Sequence, residues 1–165
     1  MSFSFVRQTL TLALCCILVA ALPKTSSAQW RADKTQPIAA TSQPQLIYPE
    51  ELVKILHSGK SQPLILNIGP RMLYLQAHIT GAEFIGAGSE PEGIKQLRSR
   101  VQSIPHTASI ILYCGCCPWA HCPNVNPAYA ELHRMGFTNV KVLYIANNIG
   151  TDWVYKGYPT VLGKQ

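Results

Sequence analysis

Ser109-Ile110-Ile111-Leu112-Tyr113-Cys114-Gly115-Cys116-Cys117-Pro118-Trp119-Ala120-His121-Cys122-Pro123-Asn124 is the stretch on which the reading of this chain turns. From Ser109 to Tyr113 it is a nearly unbroken apolar run, the pattern of a strand covered on both faces rather than one with a wet side. From Cys114 onward it is a polar loop that carries four cysteines within nine residues. A helix follows, its start marked by Asn126 and Pro127 and its end by Gly136 after Met135. A buried strand that leads through a loop into a helix is one unit of a parallel α/β sheet. Ligands of such sheets bind beyond the C-terminal ends of the strands, which is where the cysteines stand.

The flanking sequence carries the same alternation. Pro49, Glu50 and Glu51 open a helix, because proline suits its first position and acidic residues complement its positive end; Leu52, Val53, Ile55 and Leu56 supply its buried face, and Ser58-Gly59 ends it. Leu64 to Ile68 is a buried strand, and Pro70 begins a short helix through Gln76. Glu83-Phe84-Ile85 is a brief strand. Ser89-Glu90-Pro91-Glu92 has the form of a capping box, starting a helix to Val101 with Ile94, Leu97 and Val101 inward. Val140 to Leu143 is a strand, and a last short helix lies near Asp152 to Lys156.

Composition bounds what this architecture can serve. The chain has 165 residues, 47% hydrophobic and 13% charged, which excludes a disordered chain and a disulfide-dense mini-protein and suits one domain. Its first 28 residues read differently: Arg7 with no acidic residue, an apolar run from Leu10 to Leu22, then small residues at Ser26 and Ala28. This is the form of a secretory signal cleaved after Ala28; the other reading, a retained anchor, is disfavoured by an apolar run shorter than the ~20 residues a bilayer needs. Cleavage leaves 137 residues and removes Arg7 and Lys24, so that 12 basic residues face 8 acidic ones. With no basic run or stripe, no nucleic-acid partner is expected. Residues 29–46, rich in Thr, Ser, Gln, Ala and Pro, read as a polar tether ahead of a domain at 47–165. The expected protein is periplasmic or secreted, has no stable membrane insertion after cleavage, and is a monomer. Cys15 and Cys16 leave with the signal, so the remaining four cysteines are those of the loop.

A cysteine at the end of a buried strand, facing a helix N-terminus, has a physical reason to react. Backbone N–H groups and the helix dipole favour the thiolate, which is the nucleophile. Cys114 holds that position.

In these residues the sequence resembles the rhodanese-like family, from about Ile47 to Leu162. The resemblance rests on Tyr48-Pro49-Glu50-Glu51-Leu52, on Leu64 to Ile68 where the family has a strand ending in Asp-Val-Arg, and on Ala77-His78-Ile79-Thr80-Gly81-Ala82. It continues through Ile110 to Cys114, Leu132 to Val140, and Gly150-Thr151-Asp152-Trp153 with Gly157-Tyr158-Pro159. It implies an open parallel sheet of about five strands with helices on both faces. It also implies a sulfurtransferase in which Cys114 takes a sulfane sulfur from a small donor anion, holds it as a persulfide and passes it to a thiol acceptor, with no cofactor. The loop departs from the family pattern: Gly115, Cys116, Cys117, Trp119, His121, Cys122 and Asn124 make it longer, it has no Arg or Lys, and it adds three thiols. Asn67 and Gly69 replace the family's Asp and Arg, which removes that polar support.

Three further readings of the cysteines stay open. One is structural disulfides, pairing Cys114 with Cys117 and Cys116 with Cys122, or Cys114 with Cys122. Another is thiol redox chemistry, with Cys117 resolving a species formed on Cys114 through the C-x-x-C spacing. The last is a soft copper or zinc site of Cys114, Cys117, His121 and Cys122. Trp119 either walls a pocket or covers the core edge. Trp153 reads as core and His78 as a structural residue, while His57, His106 and His133 read as surface residues.

Overall fold

A computed structural model describes residues 43–163. The expected signal, and residues 29–42 of the tether, lie outside the described residues. In chain order the elements are β1 (Leu46–Ile47), α1 (Pro49–His57), β2 (Leu64–Asn67), α2 (Arg71–Gln76), β3 (Ala77–Ile79), β4 (Ala82–Phe84), α3 (Pro91–Val101), β5 (Ile110–Tyr113), α4 (Val125–Arg134), β6 (Val140–Leu143) and β7 (Thr160–Leu162). A 3-10 turn at Trp119–His121 and a π-helical turn at Gly150–Val154 complete them.

The parallel α/β sheet expected from the apolar runs is present, with five strands in the order β1-β6-β5-β2-β4. β5 is central, with all four of its residues buried. Its register sets Leu112 beside Leu66 and Val142, and Tyr113 beside Asn67. Alternation along β5 feeds two cores. Ile110, Leu112 and Cys114 pack with Leu97 and Val101 of α3 and Ala128 and Leu132 of α4. Ile111 and Tyr113 pack with Leu52 of α1 and Trp153 of the π-helical turn. Each of the fully buried leucines, isoleucines and valines stabilises the fold by about 1.5–3 kcal/mol relative to exposure.

Several local expectations are corrected. β1 is followed by Tyr48, which donates its backbone N–H to the Glu51 carboxylate at 3.0 Å. Sheet pairing begins within the stretch read as tether, since the Gln45 carbonyl accepts from Val142 N–H at 2.8 Å and Leu46 belongs to β1. Ser89 does not cap α3; its hydroxyl donates to Asn124 Oδ1 at 2.8 Å instead, and Glu90 is the capping position. α4 starts at Val125 with Asn124 as its N-cap, earlier than the Asn126-Pro127 marker. Its C-terminal stop is as expected: Gly136 takes φ +90°, and the Phe137 N–H closes on the Leu132 carbonyl at 3.0 Å. The last helix is a π-helical turn that begins at Gly150. Ahead of it the Asp152 carboxylate accepts from the Asn147 backbone N–H and from Asn147 Nδ2, and Asn148 Oδ1 accepts from Thr151 N–H. The antiparallel pair of β3 with β7 has no counterpart in the sequence reading. Among the described residues no helix is long and apolar enough to cross a membrane.

Candidate active site

Cys114 is the first residue after β5 and is only 4% exposed. The chain turns away at Gly115, whose φ of +81° suits glycine, and whose absent Cβ would lie 2.8 Å from Ile149 Cβ. Peptide groups fasten the loop: the Gly115 carbonyl accepts from Ile149 N–H at 2.9 Å, and Trp119 N–H donates to the Ile145 carbonyl at 2.9 Å. The 3-10 turn closes on Cys122 N–H, which donates to the Trp119 carbonyl at 3.2 Å.

The loop then returns to Cys114 through Asn124, which is also buried. Asn124 Nδ2 donates to Cys114 Sγ at 3.3 Å. Its Oδ1 accepts from the Ser89 backbone N–H at 3.1 Å as well as from the Ser89 hydroxyl, which fixes the amide with its donor toward sulfur. Asn124 is also the N-cap position of the ten-residue helix α4, which sets the sulfur's amide partner at the start of that helix.

Below the sulfur, Asn67 bridges two strand ends. Its Nδ2 donates to the Cys114 carbonyl at 3.3 Å and its Oδ1 accepts from Gly69 N–H at 3.2 Å. The polar support that the Asn67 and Gly69 replacements were expected to remove is therefore supplied by the Asn67 amide itself. Gly69 allows the approach: a Cβ there would lie 2.4 Å from the Cys114 carbonyl oxygen and 3.0 Å from Cys114 Sγ.

The other thiols arrange differently from the C-x-x-C reading. Cys114 Sγ lies 3.1 Å from Cys116 Sγ, and Cys116 Sγ lies 3.2 Å from Cys117 Sγ. Cys114, Cys116 and Cys122 bring their sulfurs within 4.8 Å of one another, so the set that could hold a soft ion has Cys116 where the spacing offered Cys117, and His121 is exposed outside it. The turn at Gly115 swings Cys116 back over Cys114. All four thiols are free, and none of the disulfide pairs left open by the sequence is formed. Burial pushes the Cys116 thiol up to about 11 and raises Cys117. Cys122 is raised further, first by its hydrogen bond to Cys114 and then by burial. Three thiols thus stay protonated around one sulfur that receives donors.

An open pocket of about 390 Å3 lies beside the loop, between α2 and the π-helical turn. Gln76, Cys116, Ile149 and Tyr155 are among its lining residues; Trp119 is not, and sits half-buried against Tyr144 with ring centroids 6.4 Å apart. Trp153 is fully buried, as expected of a core residue. His78 is held by its neighbours, with Nδ1 2.8 Å from the Tyr74 carbonyl and its ring stacked on Tyr74 at 3.9 Å. His57, His106 and His133 are exposed.

Residues 48–144, from the start of α1 to the end of β6, match the family model described as Rhodanese-like domain. The chain belongs to the rhodanese-like family. Solved structures of the same fold include the rhodanese-like domain of an Anabaena sp. protein, 24% identical, with a TM-score of 0.52 over 74% of this chain and 80% of that one. A Bacillus halodurans protein is 19% identical, with a TM-score of 0.55 over 72% of this chain and 77% of its own. A single-domain sulfurtransferase of Saccharomyces cerevisiae is 16% identical, with a TM-score of 0.52 over 71% of this chain and 94% of its own. At these identities the likeness carries the fold. No curated protein matches the sequence.

Within this rhodanese-like domain the sequence reading had missed Asn67's supporting role, the tight approach of Gly69 and the part of Ser89. All three are positioning residues. Asn67 was open to detection, since a polar residue at the C-terminal end of a buried strand faces the ligand end of the sheet. Ser89 was hidden by its resemblance to a capping residue.

Proposed function

We propose that this protein is an exported sulfurtransferase, acting as a monomer, in which Cys114 carries sulfane sulfur as a persulfide. The observation that carries the reading is the Asn124 Nδ2 donor 3.3 Å from Cys114 Sγ, at the end of the central strand. In the first half-reaction the Cys114 thiolate attacks the sulfane sulfur of a small donor and displaces the donor's remainder as an anion. In the second, an acceptor thiol attacks the outer sulfur, and Cys114 leaves as the thiolate to which Asn124 Nδ2 donates. The loop between Cys114 and Asn124 has no Arg or Lys to pair with a donor anion. That suits a singly charged persulfide or polysulfide better than thiosulfate.

Reduced protein is incubated with a polysulfide or with thiosulfate and its intact mass measured. Wild type gains one sulfur atom and Cys114→Ala gains none. A gain that persists in Cys114→Ala, or never forms in wild type, overturns the reading. Export rests on the Met1–Ala28 segment, and is checked by whether the protein recovered from its native source begins at Gln29.

A further inference from the structure

Cys114 and the pocket do not meet directly. Cys114 is 4% exposed, enough for attack on a small donor but not for docking a thiol with substituents around it. Of the four loop cysteines, Cys116 alone lines the pocket beside the loop, among the described residues. Cys116 is half-buried and its sulfur lies 3.1 Å from that of Cys114, so a sulfur added to Cys114 is within its reach. Cys117 adjoins Cys116 but does not line the pocket. The lining has no charged side chain: Leu73, Ala77, Ile149 and Val154 are apolar, and Gln76 and Asn148 are amides.

We propose that Cys116 takes the sulfane sulfur over from Cys114 and presents it in this pocket to an uncharged thiol, making the loop a two-cysteine sulfur relay. The inference rests on the persulfide reading of Cys114 and names the exit of the same sulfur. In the relay step the Cys116 sulfur attacks the outer sulfur of the Cys114 persulfide. A bond forms between them as the Cys114–sulfur bond breaks. The electron pair of the broken bond stays on Cys114 Sγ, and the proton released by Cys116 passes to it while Asn124 Nδ2 donates to it. One persulfide and one thiol become one thiol and one persulfide, with no net oxidation and no co-reactant. A second exchange with the acceptor, R–SH, gives R–S–SH and restores the Cys116 thiol.

Electrostatics disfavour a monovalent ion held by the same three sulfurs. Three thiolates around one monovalent cation would leave two negative charges buried with no Lys or Arg in the loop to offset them.

The full chain, reduced and loaded with inorganic polysulfide, is quenched with iodoacetamide and the label located by peptide fragmentation; discharge is then timed with 2-mercaptoethanol and with the anionic 2-mercaptoethanesulfonate. In wild type the added sulfur is found on Cys116 as well as Cys114, and the uncharged thiol discharges it faster than the anionic one. In Cys116→Ser and Cys116→Ala the sulfur still loads, now on Cys114 alone, and discharge to 2-mercaptoethanol falls at least about tenfold. Loading of Cys114 in those variants shows that they are folded. If they load normally and discharge at the wild-type rate, or if wild type never carries sulfur on Cys116, the relay is overturned while the Cys114 persulfide stands. If Cys114→Ser loads as wild type does, or nothing loads, both readings fall.

Discussion

Gly69→Ala adds one methyl group at the point where β2 leaves the sheet beside Cys114. The new Cβ would sit 2.4 Å from the Cys114 carbonyl oxygen and 3.0 Å from Cys114 Sγ, whereas Cβ atoms are essentially never found within 3.0 Å of another heavy atom. Neither side yields easily. Gly69 N–H is held by Asn67 Oδ1 and Ile68 N–H by the Tyr113 carbonyl at 2.9 Å, and the Cys114 carbonyl is held by Asn67 Nδ2. Relief requires the strand ends to part, an overpacking cost of about 3 kcal/mol at the upper end of the usual range. For a domain of this size, at about 4 °C per kcal/mol, the melting temperature falls by about 10 °C. The strain falls on the Cys114 peptide, so persulfide loading measured by mass well below the melting point also slows, by about tenfold or more. Gly157→Ala is the control. Gly157 has φ +70° with nothing within 4 Å, so alanine there meets only left-handed backbone strain of about 1–2 kcal/mol and leaves loading unchanged. A Gly69→Ala protein that melts within about 2 °C of wild type and loads at the same rate would show that the contact exerts no constraint, and would remove the steric account of Gly69.

Asn124→Ala removes the donor to Cys114 and leaves Ser89 without its partner; loading of Cys114 in a polysulfide time course should slow by about tenfold, the equivalent of one hydrogen bond to a charged sulfur. The Glu131 carboxyl, 9% exposed, is lowered to about 2 by Arg134 and then by Arg98. Its folded value lies below the unfolded 4.5, so its contribution is complete above pH 4.5 and is lost as pH falls toward 2. Both arginines are more than half exposed, and with that screening about 1–2 kcal/mol is expected; Glu131→Gln should lower urea stability at pH 6 by that amount and flatten the acid limb. For Cys116 the sign is opposite: a thiol raised from 9 to about 11 stabilises the fold below pH 9 and loses that contribution as pH rises to 11. Alkaline denaturation of Cys116→Ser should therefore be less steep over that window.

The parallel sheet was legible because β2, β5 and β6 are apolar runs whose burial is decided by their own residues. β1, β3 and β7 were not, since strands of two or three residues have too little periodicity to register and exist through their partners, as when β3 pairs with β7 across more than eighty residues of chain. Cys114 could be singled out from its place after β5. The neighbour that meets it could not, because spacing favoured Cys117, while the turn at Gly115 returns Cys116 and its sulfur to Cys114. A similar limit applied to Ser89, whose capping-box pattern gave no sign of its partner Asn124, thirty-five residues on.

The cysteine loop is fastened to the segment that follows β6 through main-chain groups, at Gly115 and Trp119. Every residue but proline carries such groups, so most side chains along the loop are free to change without unlatching it. The frame beneath, with Asn67 under the sulfur and Ser89 beside it, then behaves as a socket into which loops of different chemistry could be transplanted while the strand end that holds Cys114 keeps its shape.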